Sequence, residues 1–186
     1  MSLSLLAISG SSRVGSFNSA LLDLAVELTG DGIDIDTWRS HDLIPRVDAT
    51  RGVPFPLAVE ELRERVHRAD GLILATPEFN RSIPGVLKDI IDWLSIGAEP
   101  RPLVGKPVIL MSASPQRHGG ISAQVELASL LHRAGAHVVT NGDVVVGSAH
   151  VVFSTPSRDE GELEAQIRAL WQRVTTLLEA KERSVV

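Results

Sequence analysis

Three short runs of almost uninterrupted apolar residues constrain the fold most strongly. They are LSLLAIS (Leu3–Ser9), GLILATP (Gly71–Pro77) and KPVILMSAS (Lys106–Ser114). A strand with one face in water alternates apolar and polar residues, whereas a strand covered on both faces reads as a continuous apolar run. These segments therefore predict central strands of a parallel sheet with helices on both sides.

The rest of the chain supplies the edge strands and the helices. Ile33–Arg39 alternates as a half-buried strand does, and Ala136–Thr140 follows a helix-ending glycine and predicts a fifth strand. Apolar residues at helical spacing predict five helices: one through Phe17, Leu21, Leu24 and Leu28, then Leu57–Ala69, a third from about Pro84, then Gly120–Ala134, and a last one striped by Leu163, Ile167, Leu170, Val174 and Leu177. Alternating strands and helices predict one α/β domain, residues 1–186, with a doubly wound five-stranded parallel sheet.

Composition excludes several classes of function. The net charge of −5 and the lack of a basic run argue against a nucleic-acid or anionic-membrane partner. The chain has no cysteine, which excludes disulfides, thiolate metal ligands and a cysteine nucleophile. No apolar stretch is long enough to span a membrane, so we expect no membrane insertion and a cytoplasmic location.

The connection after the first strand, Gly10–Asn18, has the composition of a phosphate-binding loop, and we call it the phosphate loop. Gly10 and Gly15 have the spacing of a nucleoside-triphosphate loop, but Ser16 stands where that loop has its lysine. Hydroxyls, the Asn18 amide, a helix N-terminus and Arg13 suit a terminal monophosphate without a metal ion. The alternative is a glycine- and serine-rich turn that only caps the helix.

The connection after the third strand lies beside the phosphate loop in a sheet of order 2-1-3-4-5. In that order the first and third strands flank the switch point, where ligands of open α/β sheets bind. Pro77 delays the next helix, so the residues after it can present backbone N–H and C=O groups to a flat ring. Phe79 could lie against such a ring, with Asn80 and Arg81 nearby. An ordinary strand-to-helix turn with Ser82 as N-cap accounts for only part of this segment.

At these residues the chain resembles the NAD(P)H-dependent FMN reductases, which include chromate and quinone reductases and have a flavodoxin-like fold. GSSRVGSFN (Gly10–Asn18) is similar to the family's phosphate loop, and PEFNRSIPGVLKDIIDWLS (Pro77–Ser95) is similar to its most specific signature. SASPQRHGGISAQ (Ser112–Gln124) is similar to its serine-bearing loop before the fourth helix. Phe79 replaces the family's tyrosine, and Arg81 stands at a position that the family varies.

The resemblance implies FMN as cofactor and NADPH or NADH as co-substrate. It implies hydride transfer from the nicotinamide through FMN to small acceptors such as quinones, flavins, chromate or azo compounds. By position, the resemblance assigns the FMN phosphate to Ser11, Arg13, Ser16 and Asn18, with Phe17 beside them. It assigns the edge of the isoalloxazine to Pro77, Glu78, Phe79, Asn80 and Arg81. It also implies that Ser114 and the Gly119–Gly120 turn approach the flavin from the fourth strand. No catalytic side chain is expected, since the cofactor carries the chemistry.

Two other functions remain open at this stage. A flavodoxin-type electron carrier would bind FMN without a nicotinamide site, although such carriers stack aromatic rings on the flavin and aromatic residues make up only 4% of this chain. A serine hydrolase at Ser11 or Ser12 lacks the G-x-S-x-G elbow. The six histidines form no metal-ligand pattern. Most are expected at the surface, and His118 is a candidate for contact with substrate.

The resemblance also implies a homodimer, in some members paired into a homotetramer. The sequence offers one further reason, because the third helix carries Trp93 beside Ile90, Ile91 and Leu94, an apolar face wider than the sheet needs. Pro100, Pro102 and Leu103 would extend that face. Ordinary burial against the sheet is the competing interpretation.

Overall fold

The apolar runs form the strands of one parallel sheet. The computed structural model describes residues 2–39, 41–48, 54–97, 100–139, 144–154 and 158–183. Its strands are β1 (Leu3–Ser9), β2 (Ile33–Trp38), β3 (Gly71–Thr76), β4 (Pro107–Ala113), β5 (His137–Val138) and β6 (Val144–Val146). The order β2-β1-β3-β4-β5 is the predicted one, and the flavodoxin-like fold is confirmed.

The edge of the sheet beside β4 differs from the prediction. The expected strand over Ala136–Thr140 is present only as β5, which pairs with the first two residues of β4, and Thr140 lies outside the described residues. Beyond it β6 pairs in parallel with the last three residues of β4. Two short segments thus share one edge, and the three-residue β6 was too short to be recognised from an apolar pattern.

Helices cover both faces of the sheet. They are α1 (Phe17–Glu27), α2 (Leu57–Arg68), α3 (Gly85–Ser95), α4 (Ile121–Arg133), α5 (Ala149–Val152) and α6 (Arg158–Arg183), with a 3-10 turn at His41–Leu43. Alternate residues of the central strands enter two separate cores: Leu6, Leu72 and Leu110 pack with α2, α3 and α4, and Leu5, Ile73 and Ile109 pack with α1 and α6. None of the helices in the described ranges is both long and apolar enough to cross a lipid bilayer.

The helix α6 confirms the predicted C-terminal stripe as far as its side chains are described. Leu163, Ile167, Leu170 and Val174 are buried, and the side chain of Leu177 lies outside the described part. The indole Nε1 of Trp171 donates to the carbonyl oxygen of Ala25 at 2.9 Å, which joins α6 to α1 across the second core.

The broad apolar face of α3 is buried within the chain, so it does not provide the subunit contact that the sequence suggested. Trp93 is 0% exposed, its Nε1 donates to the carbonyl oxygen of Pro45 at 2.7 Å, and Phe55 packs edge-on against its ring. Ile90, Ile91, Leu94, Pro102 and Leu103 are buried as well, while Pro100 is exposed. This face is covered by Pro45 and Phe55, from the described parts of the connection between β2 and α2, which explains its width.

The last turn of α3 is held by a side chain from α2. Arg63 donates through Nη1 to the carbonyl oxygens of Trp93 (2.6 Å) and Ile96 (2.9 Å), and its guanidinium lies over the Phe55 ring. Partial burial lowers the pKa of Arg63 from its ordinary value. The last carbonyl groups of a helix have no partner within it, and Arg63 supplies one for these two.

Candidate active site

Three connections meet at the carboxyl edge of the sheet, after β1, β3 and β4. The main-chain N–H of Gly10 donates to the Ala75 carbonyl oxygen at 2.7 Å. A Cβ added to Gly10 would lie 3.0 Å from Leu87 Cδ2 and 3.2 Å from Pro77 Cδ, so a glycine is needed where the first two connections touch. The Glu78 carboxylate accepts from the main-chain N–H of Ala123 at 3.4 Å, which brings the third connection alongside.

Serine hydroxyls hold the phosphate loop in shape. The Ser16 Oγ accepts from the main-chain N–H groups of Asn18 (3.2 Å) and Ser19 (3.5 Å), so Ser16 is the N-cap of α1. The Ser9 Oγ accepts from the Ser11 N–H (3.2 Å) and from the Ser19 hydroxyl (3.1 Å), and the Ser11 Oγ accepts from the Arg13 N–H (3.4 Å). The capping that was the alternative to phosphate binding is therefore present.

Capping leaves most of the loop's donors unused. Arg13 is exposed, donates through Nη2 to the Gly15 carbonyl oxygen at 3.2 Å and lies 5.9 Å from the centre of the Phe17 ring. Within the described part of the chain, hydrogen-bond partners are missing for the main-chain N–H groups of Ser12, Val14, Gly15 and Phe17. Unpaired N–H groups at a helix N-terminus beside an arginine fit a phosphate group.

Asn18 and Phe17 have other contacts than the sequence suggested. The Asn18 amide is buried and bonded to Ala113 of β4: Nδ2 donates to its carbonyl oxygen (2.8 Å) and Oδ1 accepts from its N–H (2.9 Å). The Asn18 side chain therefore fixes the position of the phosphate loop through its oxygen and one of its two N–H groups. The Phe17 ring stacks on Phe153 at 6.1 Å between centroids.

The residues from Pro77 to Ser82, which we call the ring loop, form a tight two-residue turn. Phe79 and Ser82 exchange two main-chain hydrogen bonds of 2.9 Å each. The residues between them have left-handed backbone angles, with φ of 52° at Asn80 and 64° at Arg81. Ser82 is thus committed to the turn, and Pro84 rather than Ser82 stands at the N-cap position of α3.

The ring loop presents main chain and one exposed aromatic side chain. Phe79 is 60% exposed, and Asn80 and Arg81 are exposed beside it. The main-chain N–H groups of Glu78, Asn80 and Arg81 are without a hydrogen bond in the described ranges. Such a row of backbone donors suits the edge of a ring with alternating acceptors and donors. The Glu78 carboxylate caps α4 and positions the loop.

The connection after β4 is shaped by two glycines. Gly119 (φ 62°) and Gly120 (φ 88°) are both left-handed, and a Cβ on Gly119 would lie 2.4 Å from Val145 Cγ1. Packing against β6 is therefore enough to require glycine at 119. Ser114 is buried; its N–H donates to the Val146 carbonyl oxygen (3.0 Å) and its Oγ accepts from the Gln116 N–H (3.1 Å).

Two buried polar residues near the site were missed by the sequence analysis. Most histidines were expected at the surface, yet His41 is buried: its Nδ1 lies 3.2 Å from the Arg39 carbonyl oxygen, and its Nε2 contacts the Ser9 carbonyl oxygen. Gln124 donates to Ser112 Oγ (2.8 Å) and to the Val144 carbonyl oxygen (2.9 Å). His41 stands in no motif, and Gln124 is only the last residue of the Ser112–Gln124 segment, so the contacts of both residues are seen only in the folded chain.

The other histidine singled out above, His118, is exposed in the connection after β4, and its contact with substrate stays a prediction. Among the described residues, no group of histidine and carboxylate side chains is placed to hold a metal ion.

The fold and these three connections define a flavodoxin-like protein with unpaired main-chain donors at its switch point. Comparison with known proteins identifies the family. Residues 3–151 match the NADPH-dependent FMN reductase family, and the chain belongs to it. The predicted family is therefore confirmed, together with the enzyme class and the cofactor pair of FMN and NAD(P)H.

Individual relatives agree with this assignment. An NAD(P)H-dependent FMN reductase of Pseudomonas aeruginosa is 38% identical over 156 residues, 84% of each chain. A quinone reductase of Escherichia coli K12 is 35% identical over 147 residues, 78% of each chain. Among solved structures, the flavoenzyme FerB of Paracoccus denitrificans, an NAD(P)H:acceptor oxidoreductase, superposes with a TM-score of 0.78 at 22% identity, over 91% of this chain and 96% of its own.

Proposed function

We propose that this protein passes a hydride from NADPH or NADH, through FMN bound at the switch point, to quinones and free flavins. The observation that carries the proposal is the set of unpaired main-chain donors at the start of α1, next to exposed Arg13. Relatives named as quinone and FMN reductases support the acceptor classes. Chromate and azo compounds are further acceptors that the same activity assay would test.

In this proposal the phosphate loop holds the 5′-phosphate of FMN. The N–H groups of Ser12, Val14, Gly15 and Phe17 would donate to its oxygens, and Arg13 would add a charge-assisted bond. The hydroxyl hydrogens of Ser11 and Ser16 are available as donors, since both oxygens accept bonds from the loop's own main chain. Asn18 acts indirectly, because its amide fixes the loop to β4.

The ring loop would hold the edge of the flavin. Its main-chain N–H groups would donate to ring acceptors, and Phe79 would cover part of the ring. When bound, FMN supplies the hydride transfer itself. The protein's part is to orient the ring, to exclude side reactions and to leave one face open for the nicotinamide and then for the acceptor.

Absorbance spectroscopy tests the proposal directly. Apo-protein mixed with FMN should retain the flavin on a desalting column, and NADPH or NADH added without oxygen should bleach the flavin bands. Quinone should then restore them within a turnover. Protein that stays colourless with FMN and binds ATP with Mg²⁺ instead contradicts the proposal. Bound flavin that NAD(P)H does not bleach would show the electron carrier considered above.

We further propose that the active unit is a homodimer or homotetramer. Phe79, Ile121 and Val125 are exposed apolar side chains, and the Glu78–Ala123 contact places the ring loop beside the first turn of α4. Ile121 and Val125 are one turn apart and share a helix face, so a second copy could cover them and wall the flavin. Light scattering at micromolar concentration tests this: a fully active species of about 20 kDa contradicts it. The cytoplasmic location stays a prediction, which cell fractionation would check.

A further inference from the structure

A cleft of about 390 Å³ lies on the far side of the phosphate loop from the ring loop. One wall is the phosphate loop with the first turns of α1; the opposite wall is the end of β2 and the 3-10 turn that follows it. The lining includes no residue from the connections after β3 and β4. The cleft is therefore separate from the proposed flavin-ring site, although both open onto the same loop.

This arrangement decides what the cleft can receive. A phosphate held by the loop's N–H groups has the ring loop on one side and the cleft on the other. A ligand with one terminal phosphate, such as FMN, occupies only the side of the ring loop. In a ligand whose phosphate is joined to a further group, that further group would lie in the cleft. The volume of the cleft is within the range of small-molecule sites.

The side chains of the cleft combine charge with apolar surface. Arg13 from the loop and Arg39 after β2 can face a second phosphate, and Arg39 is linked to Asp23 of α1 by an exposed ion pair of 2.5 Å. The carboxylates of Asp23 and Asp42 can accept from a ribose diol. Val14, in the lining, is 96% exposed and contributes apolar surface to the cleft.

Doubly wound sheets use the same place for the same chemistry. In dinucleotide-binding sheets, the phosphate lies on the connection after the first strand, and an acidic or basic residue at the end of the second strand contacts the adenosine ribose or its phosphate. Here Arg39 follows β2 directly, and Asp42 comes three residues later. The indole N–H of Trp38, also in the lining, is buried and has no hydrogen-bond partner in the described part of the chain.

We propose that this cleft binds an adenosine 5′-phosphate group, the half that FAD and NAD(P)H share. The inference rests on the proposed function for the phosphate loop and extends it to a second, adjoining site. In FAD the adenylate would continue from the flavin phosphate on the loop; in NAD(P)H it would anchor the end of the co-substrate remote from the nicotinamide.

Calorimetry with 5′-AMP, FMN and FAD tests the proposal. The FMN-loaded protein and the apo-protein are each titrated with 5′-AMP, and the apo-protein is titrated with FMN and FAD. The double variant Arg39→Gln/Asp42→Asn removes the two charged side chains that would contact the adenylate. It carries little risk to folding, because the Arg39–Asp23 ion pair that it breaks is exposed. Arg68→Gln is the control, since the Arg68 side chain is also exposed (70%, against 61% for Arg39) and lines no part of this cleft.

We expect the double variant to lose about tenfold or more in affinity for the adenylate ligand, as for removal of a charge-assisted bond, while FMN affinity changes less than about twofold. FAD that binds apo-protein at least as tightly as FMN identifies the flavin dinucleotide as the source. AMP that binds FMN-loaded protein and competes with NAD(P)H identifies the nicotinamide dinucleotide.

The proposal is overturned if 5′-AMP binds neither form and FAD binds more weakly than FMN, or if the double variant binds every ligand as the wild type does. The failure of the proposed function looks different: apo-protein would then bind neither flavin. Even in that case the AMP titration still reports on the cleft.

Discussion

The phosphate loop and the ring loop lie side by side at the switch point but are built in opposite ways. In the phosphate loop, side chains hold the main chain: the hydroxyls of Ser9, Ser11 and Ser16 accept from its N–H groups. The Asn18 amide joins the loop to the main chain of Ala113 in β4. In the ring loop, main chain holds main chain through the Phe79–Ser82 pair. The residue with left-handed backbone angles in the phosphate loop is Gly15, whereas in the ring loop the left-handed residues are Asn80 and Arg81.

This difference indicates a difference in what each loop recognises. A phosphate is compact and charged, so a relaxed loop with many N–H groups, fixed from behind by side chains, is sufficient. A flat ring requires donors in a defined line, and a tight turn provides that line at the expense of backbone strain. Substitutions in the phosphate loop should therefore reduce stability or anion affinity. A substitution that relieves the backbone strain of the ring loop should increase stability.

The largest effect is expected at Asn18, the brace of the phosphate loop. Asn18→Ala leaves the N–H and carbonyl of Ala113 without their buried partners. Each such group costs about 1–3 kcal/mol, so the free energy of unfolding should fall by about 2–6 kcal/mol. Urea denaturation measures it, with Gln172→Ala, an exposed amide on α6, as the control. A loss below about 1 kcal/mol would show that Asn18 does not brace the loop.

The next effect is expected at Arg13 and concerns binding. Arg13→Ala removes a charge-assisted contact to the phosphate, so FMN affinity should fall by about 1.5–3 kcal/mol, roughly ten- to a hundredfold. Riboflavin lacks the phosphate, and its affinity should hardly change. Fluorescence titration with both flavins makes the comparison within one variant. Equal losses for FMN and riboflavin would assign Arg13 to folding or to the ring instead.

Ser16 allows capping and phosphate binding to be separated. Ser16→Ala removes the N-cap and should lower stability by about 1 kcal/mol. Ser16→Asp keeps an acceptor for the N–H groups of Asn18 and Ser19, so stability should be retained, but its charge should repel the phosphate and weaken FMN binding. Thermal denaturation and FMN titration of both variants test this. Full FMN affinity in Ser16→Asp would place the phosphate away from Ser16.

The contrast between the loops also explains what the sequence could predict. The central strands and the two loops followed from apolar runs and short motifs, because these are local patterns with a fixed place in a doubly wound sheet. The strand order was the one expected for a flavodoxin-like fold. The roles of Asn18 and Glu78 did not follow, since their partners, Ala113 and Ala123, are far away in the sequence. The burial of Trp93 was only the competing interpretation, because Pro45 and Phe55, which cover it, stand in no periodic pattern.

The smallest effect, and the only stabilising one, is expected at Arg81 in the ring loop. A two-residue turn with both residues left-handed favours Asn followed by Gly, and this chain has Asn80 followed by Arg81. The left-handed conformation costs an ordinary residue about 1–2 kcal/mol, which glycine avoids. Glycine, however, loses more conformational entropy on folding, which cancels about 0.5–1 kcal/mol of that stabilisation. Arg81→Gly should therefore raise the free energy of unfolding by about 0.5–1 kcal/mol, a few degrees at most in Tm.

Arg81→Ala is the matched control, because it removes the same side chain and keeps the strained backbone, and it should not stabilise the protein. If both variants raise Tm equally, the Arg81 side chain and not its backbone is the source of the strain. If neither does, the turn is relaxed, and the contrast between the two loops does not hold.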